Sequence, residues 1–137
     1  MTIISERVTP KWIDHLEENE IFLFGSNEKG RHGKGAAKTA LQWGAKFGQA
    51  FGLHGKTFAI PTVNASISNN LSVEKIKRYV DRFIEFAKDH HELNFLVTLV
   101  GCGLAGHTSK EIAPLFRECT DLKNVWLPKE FWRVLQH

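Results

Sequence analysis

The chain has 137 residues, 42% hydrophobic and 24% charged, with a formal charge of +3 and a pI near 9.0. These values suit a single globular domain with a sizeable core and exclude a disordered, collagenous or coiled-coil chain. The mild positive charge permits an anionic partner without requiring one.

Two cysteines, Cys102 and Cys119, are too few for a disulfide framework. The first residues, MTIISERVTPKW, place Glu6 and Arg7 where a signal peptide needs a long apolar run. The apolar runs are only about six residues long, far short of the ~20 that cross a bilayer. A cytosolic protein with reduced thiols and no membrane association is expected.

In chain order, Pro10 is placed to start a short helix with Trp12, Ile13 and Leu16 on one side. Ile21 to Phe24 reads as a fully buried strand. A helix is expected from about Gly35 to Phe47, where alanines allow close packing. Thr57 to Ile60 is a strand that Pro61 should stop. Ser72 is a good N-cap for a helix whose apolar stripe is Ile76, Tyr79, Val80, Phe83, Phe86 and Ala87. Phe95 to Val100 is a second buried strand, ended by Gly101. Ser109 is positioned to cap a helix carrying Ile112, Leu115 and Phe116, with Pro114 kinking or breaking it. Val125 to Leu127 forms a short strand, and Pro128 to Leu135 a closing helix. His90 and His91 fall at a helix end, where the dipole favours them.

Strands and helices therefore alternate, and the strands are apolar without alternation. That pattern predicts an α/β fold: one domain over 1–137, three α/β/α layers, and a mixed, mostly parallel sheet. Ligands of such sheets bind beyond the carboxyl ends of the strands. Both glycine-rich stretches, residues 25–35 and 101–106, fall at such ends.

The first stretch, GSNEKGRHGKGAA, leaves the strand at Gly25, Ser26 and Asn27. Converging backbone N–H groups and a following helix make such a loop an anion cradle. Arg31, His32 and Lys34 add donors at the rim, while Gly33, Gly35, Ala36 and Ala37 let a ligand approach the main chain. The alternative is a tight turn with solvated lysines around it. The loop is not a P-loop, since Arg31 and His32 occupy the Lys and Ser/Thr positions. The second stretch, Gly101-Cys102-Gly103-Leu104-Ala105-Gly106, matches G-x-G-x-x-G. Asp121 precedes the next strand instead of ending it, and only 31 residues follow Gly106, so a dinucleotide fold does not begin here.

Taken with GLHGKTFAIPT at 52–62 and VTLVGCGLAGHTSKEIAPLF at 97–116, the first loop gives the chain a pattern that resembles the macro domain superfold. More narrowly, it resembles a small bacterial and phage-borne branch of macro-like proteins, mostly of undefined function. The resemblance spans roughly residues 21 to 128 and implies binding of ADP-ribose or a related nucleotide. It implies that Asn27 contacts the distal ribose and that Gly33, Gly35 and Ala36 surround phosphate. It further implies that Gly101, Cys102, Gly103, Leu104, Ala105 and Gly106 wrap the diphosphate. Two departures bear on the reaction. Residues 35–38 read Gly-Ala-Ala-Lys, with no acid, where one hydrolytic branch has Asp, and Ala105 stands where another has Asp.

The groups left for chemistry are Asn27, which is suited to orienting a water, and the candidate bases His32 and His107. Lys56 reads as a residue of a solvated loop. Cys102 invites a nucleophile reading, since a helix N-terminus lowers a thiol pKa, but no His–Asp pairing accompanies it and a small residue chosen for fit is preferred. No metal-ligand spacing is present, and no cofactor is expected. Phe22, Phe24, Phe58, Phe95 and Phe116 read as core, and Trp43, Phe47 or Phe51 as candidates to stack on a base.

The sequence thus points to binding of an ADP-ribose-type nucleotide, with hydrolysis of an ADP-ribosyl bond or a terminal phosphate as the associated reaction. Its alternative is a non-catalytic basic module for nucleic acid or ADP-ribosylated macromolecules, with Lys29, Arg31, Lys34, Lys38 and Lys46 as the rim. A third reading is an acyl or phosphoryl hydrolase that uses Cys102.

Overall fold

The computed structural model describes residues 6–30, 35–64, 70–102 and 106–136. Among the described residues five strands form one sheet: β1 (Glu20–Asn27), β2 (Gly52–His54), β3 (Thr57–Val63), β4 (Asn94–Val97) and β5 (Val125–Trp126). Their order is β2-β3-β1-β4-β5, and β2 alone runs antiparallel. Four helices accompany them: α1 (Gly35–Ala40), α2 (Val73–Lys88), α3 (Ser109–Ile112) and α4 (Lys129–Leu135). The fold is α/β, three-layered, with a mixed, mostly parallel sheet.

Period-two alternation within the apolar strands feeds both faces. Ile21, Leu23, Phe58, Ile60, Phe95 and Val97 face one way, onto Val80, Phe83 and Ala87 of α2 and onto Ile112 and Phe116. Phe22, Phe24 and Ala59 face the other way, onto Ala37 and Ala40 of α1 and the half-buried Ile13 and Leu16. The five phenylalanines read as core are all buried.

Helix α2 forms as its sequence directs. Ser72 accepts the Lys75 N–H as N-cap, and the stripe Ile76, Val80, Phe83 and Ala87 is buried. Helix α3 begins one residue earlier than expected, because Thr108, not Ser109, is the N-cap. Thr108 and Glu111 form a reciprocal capping box, and the Thr108 backbone N–H holds the Glu111 carboxyl below its ordinary pKa. After Ile112 the chain tightens into a 3-10 helix from Ala113 to Asp121, with Pro114 in its first turn. Thr108→Ala is expected to cost about 1 kcal/mol in urea unfolding; an unchanged midpoint would show that tertiary packing alone sets this helix start.

Four expectations are corrected. No helix forms at Pro10: Val8 bridges Leu127 in parallel and the Thr9 N–H donates to the Leu127 carbonyl, so strand pairing fixes the residues just before Pro10, and the chain continues through bends at Lys11 and Asp14. Helix α1 ends at Ala40, with a 3-10 turn through Trp43, instead of reaching Phe47. Gly44 stops it with φ 110°, and its Cα side lies so close to Gly55 that a Cβ would come within 2.9 Å of the Gly55 Cα. Strand β3 runs through Pro61 to Val63. The antiparallel partner β2 reaches only Ala59, so Pro61 has a free flank and its missing N–H breaks no ladder there. Strand β4 ends at Val97, three residues early: the Thr98 N–H makes a last bond to the Leu23 carbonyl, and the Val100 N–H then turns back to the Thr98 carbonyl. Strand β2 was not expected; it is three residues long and carries a glycine.

Candidate functional site

Strand order decides where a ligand site can form. From β1 the chain moves to β3 on one side, then crosses back through α2 to β4 on the other. The carboxyl ends of β1 and β4 therefore flank a topological switch point, where open α/β sheets leave a crevice. Both glycine stretches start there. A Cβ on Gly25 would come within 3.0 Å of Thr62 Oγ1 and 3.7 Å of the Gly101 backbone nitrogen, so the two loops leave the sheet side by side.

The roots of these loops are held by internal hydrogen bonds. Ser26 is buried, and its hydroxyl donates to the Ala50 carbonyl at 2.5 Å. Asn27 is also buried; its side-chain oxygen accepts the Lys29 N–H at 3.1 Å, and its carbonyl accepts the Gly30 N–H. This Asx turn reverses the chain just past β1. Glu28 pairs with Lys75 at 2.9 Å, tying the loop to the first turn of α2. Gly35 and Ala36 open α1 and are exposed. Arg31, His32, Gly33 and Lys34 lie outside the described residues. With six residues, α1 offers a smaller aligned dipole than a helix to Phe47 would.

Gly101 is buried, Cys102 half-buried and Gly106 exposed; Gly103, Leu104 and Ala105 lie outside the described residues. His107 returns this loop to the body of the protein. Its backbone N–H donates to the Gly101 carbonyl at 2.9 Å. Its Nε2 lies 2.7 Å from the Leu71 carbonyl and its Nδ1 3.7 Å from a Glu111 carboxylate oxygen. A carbonyl takes only a donor, so Nε2 carries the proton and Nδ1 faces Glu111. The ring therefore clasps the second loop to the entry of α2.

Burial pushes the Cys102 thiol up from its ordinary pKa, with Ser109 opposing through a hydrogen bond. This reverses the lowering expected from a helix N-terminus and accords with a residue chosen for fit. Cys119 is buried in the core, where desolvation pushes its pKa to about 12. With a disulfide reagent at neutral pH, Cys102 is expected to react more slowly than a free cysteine and Cys119 only after unfolding. Rapid labelling of Cys102 in the native protein would restore it as a nucleophile. Lys56 is far from this chemistry: it precedes β3 at the opposite end of the sheet and donates to the Leu16 carbonyl at 3.1 Å.

A cavity of about 780 Å³ opens beside the crevice, on the α1 side of the sheet, within the size range of small-molecule sites. One wall is the N-terminal segment with Thr9, Trp12 and Ile13; its floor is Phe22 of β1. Gly35, Ala36 and Thr39 of α1 form the second wall. Thr98 and Leu99, which lead into the second glycine loop, and the start of α4 close it. Of the described residues expected at the site, Gly35 and Ala36 line this cavity, while Gly25, Ser26, Asn27, Gly101, Cys102, Gly106 and His107 do not.

Sequence reading missed the N-terminal wall. Trp12, expected on one side of a short helix with Ile13 and Leu16, is instead outside any helix and 84% exposed at the cavity. The Thr9 hydroxyl is buried behind the same wall and has no hydrogen-bond partner among the described residues. Of the expected stackers, Phe51 is occupied by Phe58, Tyr79 and the Arg82 guanidinium, and Trp43 leans on Phe22. Phe47 is exposed but does not line the cavity. Among the described residues, no group of His, Cys, Asp and Glu is placed to hold a metal ion, and no helix is long and apolar enough to cross a membrane.

No protein-family model, curated protein or solved structure matches this chain. What it does has to be read from the crevice and from the loop sequences around it.

Proposed function

We propose that the chain is a macro-like domain that binds an ADP-ribose-type nucleotide across the carboxyl ends of β1 and β4. The observation that carries this reading is the 780 Å³ cavity, which opens beside the crevice and includes in its walls Gly35 and Ala36, just after the first glycine-rich loop, and Thr98 and Leu99, just before the second. The cavity joins an aromatic face, Trp12, to loops rich in backbone donors. That combination suits a ligand with a planar base at one end and phosphates in the middle.

In this reading the nucleoside lies in the cavity against Trp12. The diphosphate follows the second loop from Gly101 to Gly106, and the first loop meets the distal ribose. The buried amide of Asn27 belongs to the Asx turn that shapes the first loop, so its part is to position that loop. His32 is the candidate general base for hydrolysis of an ADP-ribosyl bond or a terminal phosphate. A cytosolic setting and a soluble nucleotide partner complete the proposal.

Calorimetric titration with ADP-ribose tests it. Micromolar binding by the wild type is expected, weakened about tenfold in Trp12→Ala by the loss of stacking. A wild-type protein that binds neither ADP-ribose nor its terminal phosphate ester at millimolar concentration would remove the proposal. The protein would then be tested as a basic nucleic-acid module, whose affinity falls steeply with salt.

A further inference from the structure

The cavity carries more positive charge than a base and a diphosphate on backbone donors require. Lys11, Lys129 and Arg133 all line it, and Glu130 is the single carboxylate among its described lining residues. The three cations come together through the fold. The pairing of Val8 and Thr9 with Leu127 lays the N-terminal segment beside the start of α4. Lys129 and Arg133 are one turn apart on α4 and share a face.

All three are exposed, and none has an ion-pair partner among the described residues. Three other surface lysines, by contrast, are paired: Lys75 with Glu28, Lys77 with Asp81 and Lys88 with Glu118. Two like charges one turn apart weaken a helix, and a third is brought to them across the chain. The arrangement costs stability and is compensated when a multiply charged anion sits among the three.

Resting on the reading above, we infer that the ligand carries an additional phosphate on its nucleoside end, held at the cavity rim by Lys11, Lys129 and Arg133. The glycine loops take the internal diphosphate, and the rim cations take the outer group. The phosphate is either a monoester on the nucleoside ribose or part of the diphosphate of a second unit joined to that ribose by a glycosidic bond.

Three probes separate these cases: ADP-ribose, ADP-ribose with a 2′-phosphate on its adenosine ribose, and a two-unit ADP-ribose polymer. Each is titrated into wild type and into the Lys11→Ala/Arg133→Ala double variant, with melting temperatures confirming that both are folded. The readout is the affinity ratio between a phosphate-extended probe and plain ADP-ribose. In wild type this ratio should be about tenfold at low salt, shrinking as salt screens the rim, and in the double variant it should fall to near one. A gain for the 2′-phosphate alone identifies a monoester ligand; a gain for the two-unit probe identifies a linked one. Binding of ADP-ribose with no gain for either extended probe overturns this inference and leaves the proposed function standing, as does a gain that survives the double substitution. Absence of binding by all three probes overturns both.

Discussion

Gly30→Ala is expected to destabilise the protein by about 3 kcal/mol, combining ~1 kcal/mol for a left-handed backbone with ~2 for overpacking. Gly30 is buried, with φ at 69°. A Cβ there would lie 2.5 Å from the Gln49 nitrogen and 2.7 Å from the Gly48 carbonyl carbon. These are backbone atoms, and the Gly48 N–H donates to the Gly30 carbonyl at 3.0 Å, so neither segment yields cheaply. Gly35 provides the control. Its φ is 58°, yet no atom lies within 4 Å of its Cβ position, so Gly35→Ala should cost only ~1 kcal/mol. Urea unfolding of the two variants separates backbone strain from collision. Equal midpoints would mean that the loop at 28–30 does not rest on residues 48–49 in solution. Because this contact sets the exit of the first glycine loop, Gly30→Ala should also weaken any ligand held there.

The second large effect is at Phe58. Its ring is 1% exposed and lies within 5.2 to 6.3 Å of the rings of Phe51, Phe83, Phe86 and Phe95, centroid to centroid. Those neighbours come from α2, β4 and the segment before β2, so one ring of β3 joins the sheet to its main helix. Phe58→Ala should cost about 3–5 kcal/mol, a large share of the ~5–15 kcal/mol typical of a domain. Phe58→Leu keeps most of the volume and should lose less than half as much. A loss below about 1 kcal/mol for Phe58→Ala would show that the neighbouring rings collapse into the space, and that the cluster is looser than its geometry indicates.

Much of this architecture was legible in the amino-acid sequence, for local reasons. Short apolar runs without alternation, bounded by turn residues, read as strands covered on both faces, and Ile21–Phe24 and Phe95–Val97 lie in such strands. Ser72 before a 3.6-residue stripe specifies the start and the inner face of α2 within one segment. Glycine runs at strand ends gave the position of both loops, because leaving a buried strand through an abrupt turn calls for residues without side chains.

What the tertiary structure alone decided were the outcomes that depend on residues far apart in the chain. Pro10 and the apolar spacing of Trp12, Ile13 and Leu16 are compatible with a helix, but no helix forms: pairing of Val8 and Thr9 with Leu127, more than a hundred residues away, anchors the start of the segment, and Trp12 lines the cavity. The helix from Gly35 had the alanines to continue, but contact between Gly44 and Gly55 cut it short. Pro61 is a local stop signal, overridden because β2 is too short to need its N–H. Cys102 sits at a position that in isolation lowers a thiol pKa, yet burial raises it. The rim of Lys11, Lys129 and Arg133 was invisible for the same reason: its members are separated by most of the chain and meet only because a strand pairing carries the first to the helix that bears the other two. Local sequence specified strands, helix faces and turns, since their energetics are set within a few residues. The crevice and its charge arise from strand order and long-range pairing, whose energies are shared between distant parts of the chain and exist only once the sheet has formed.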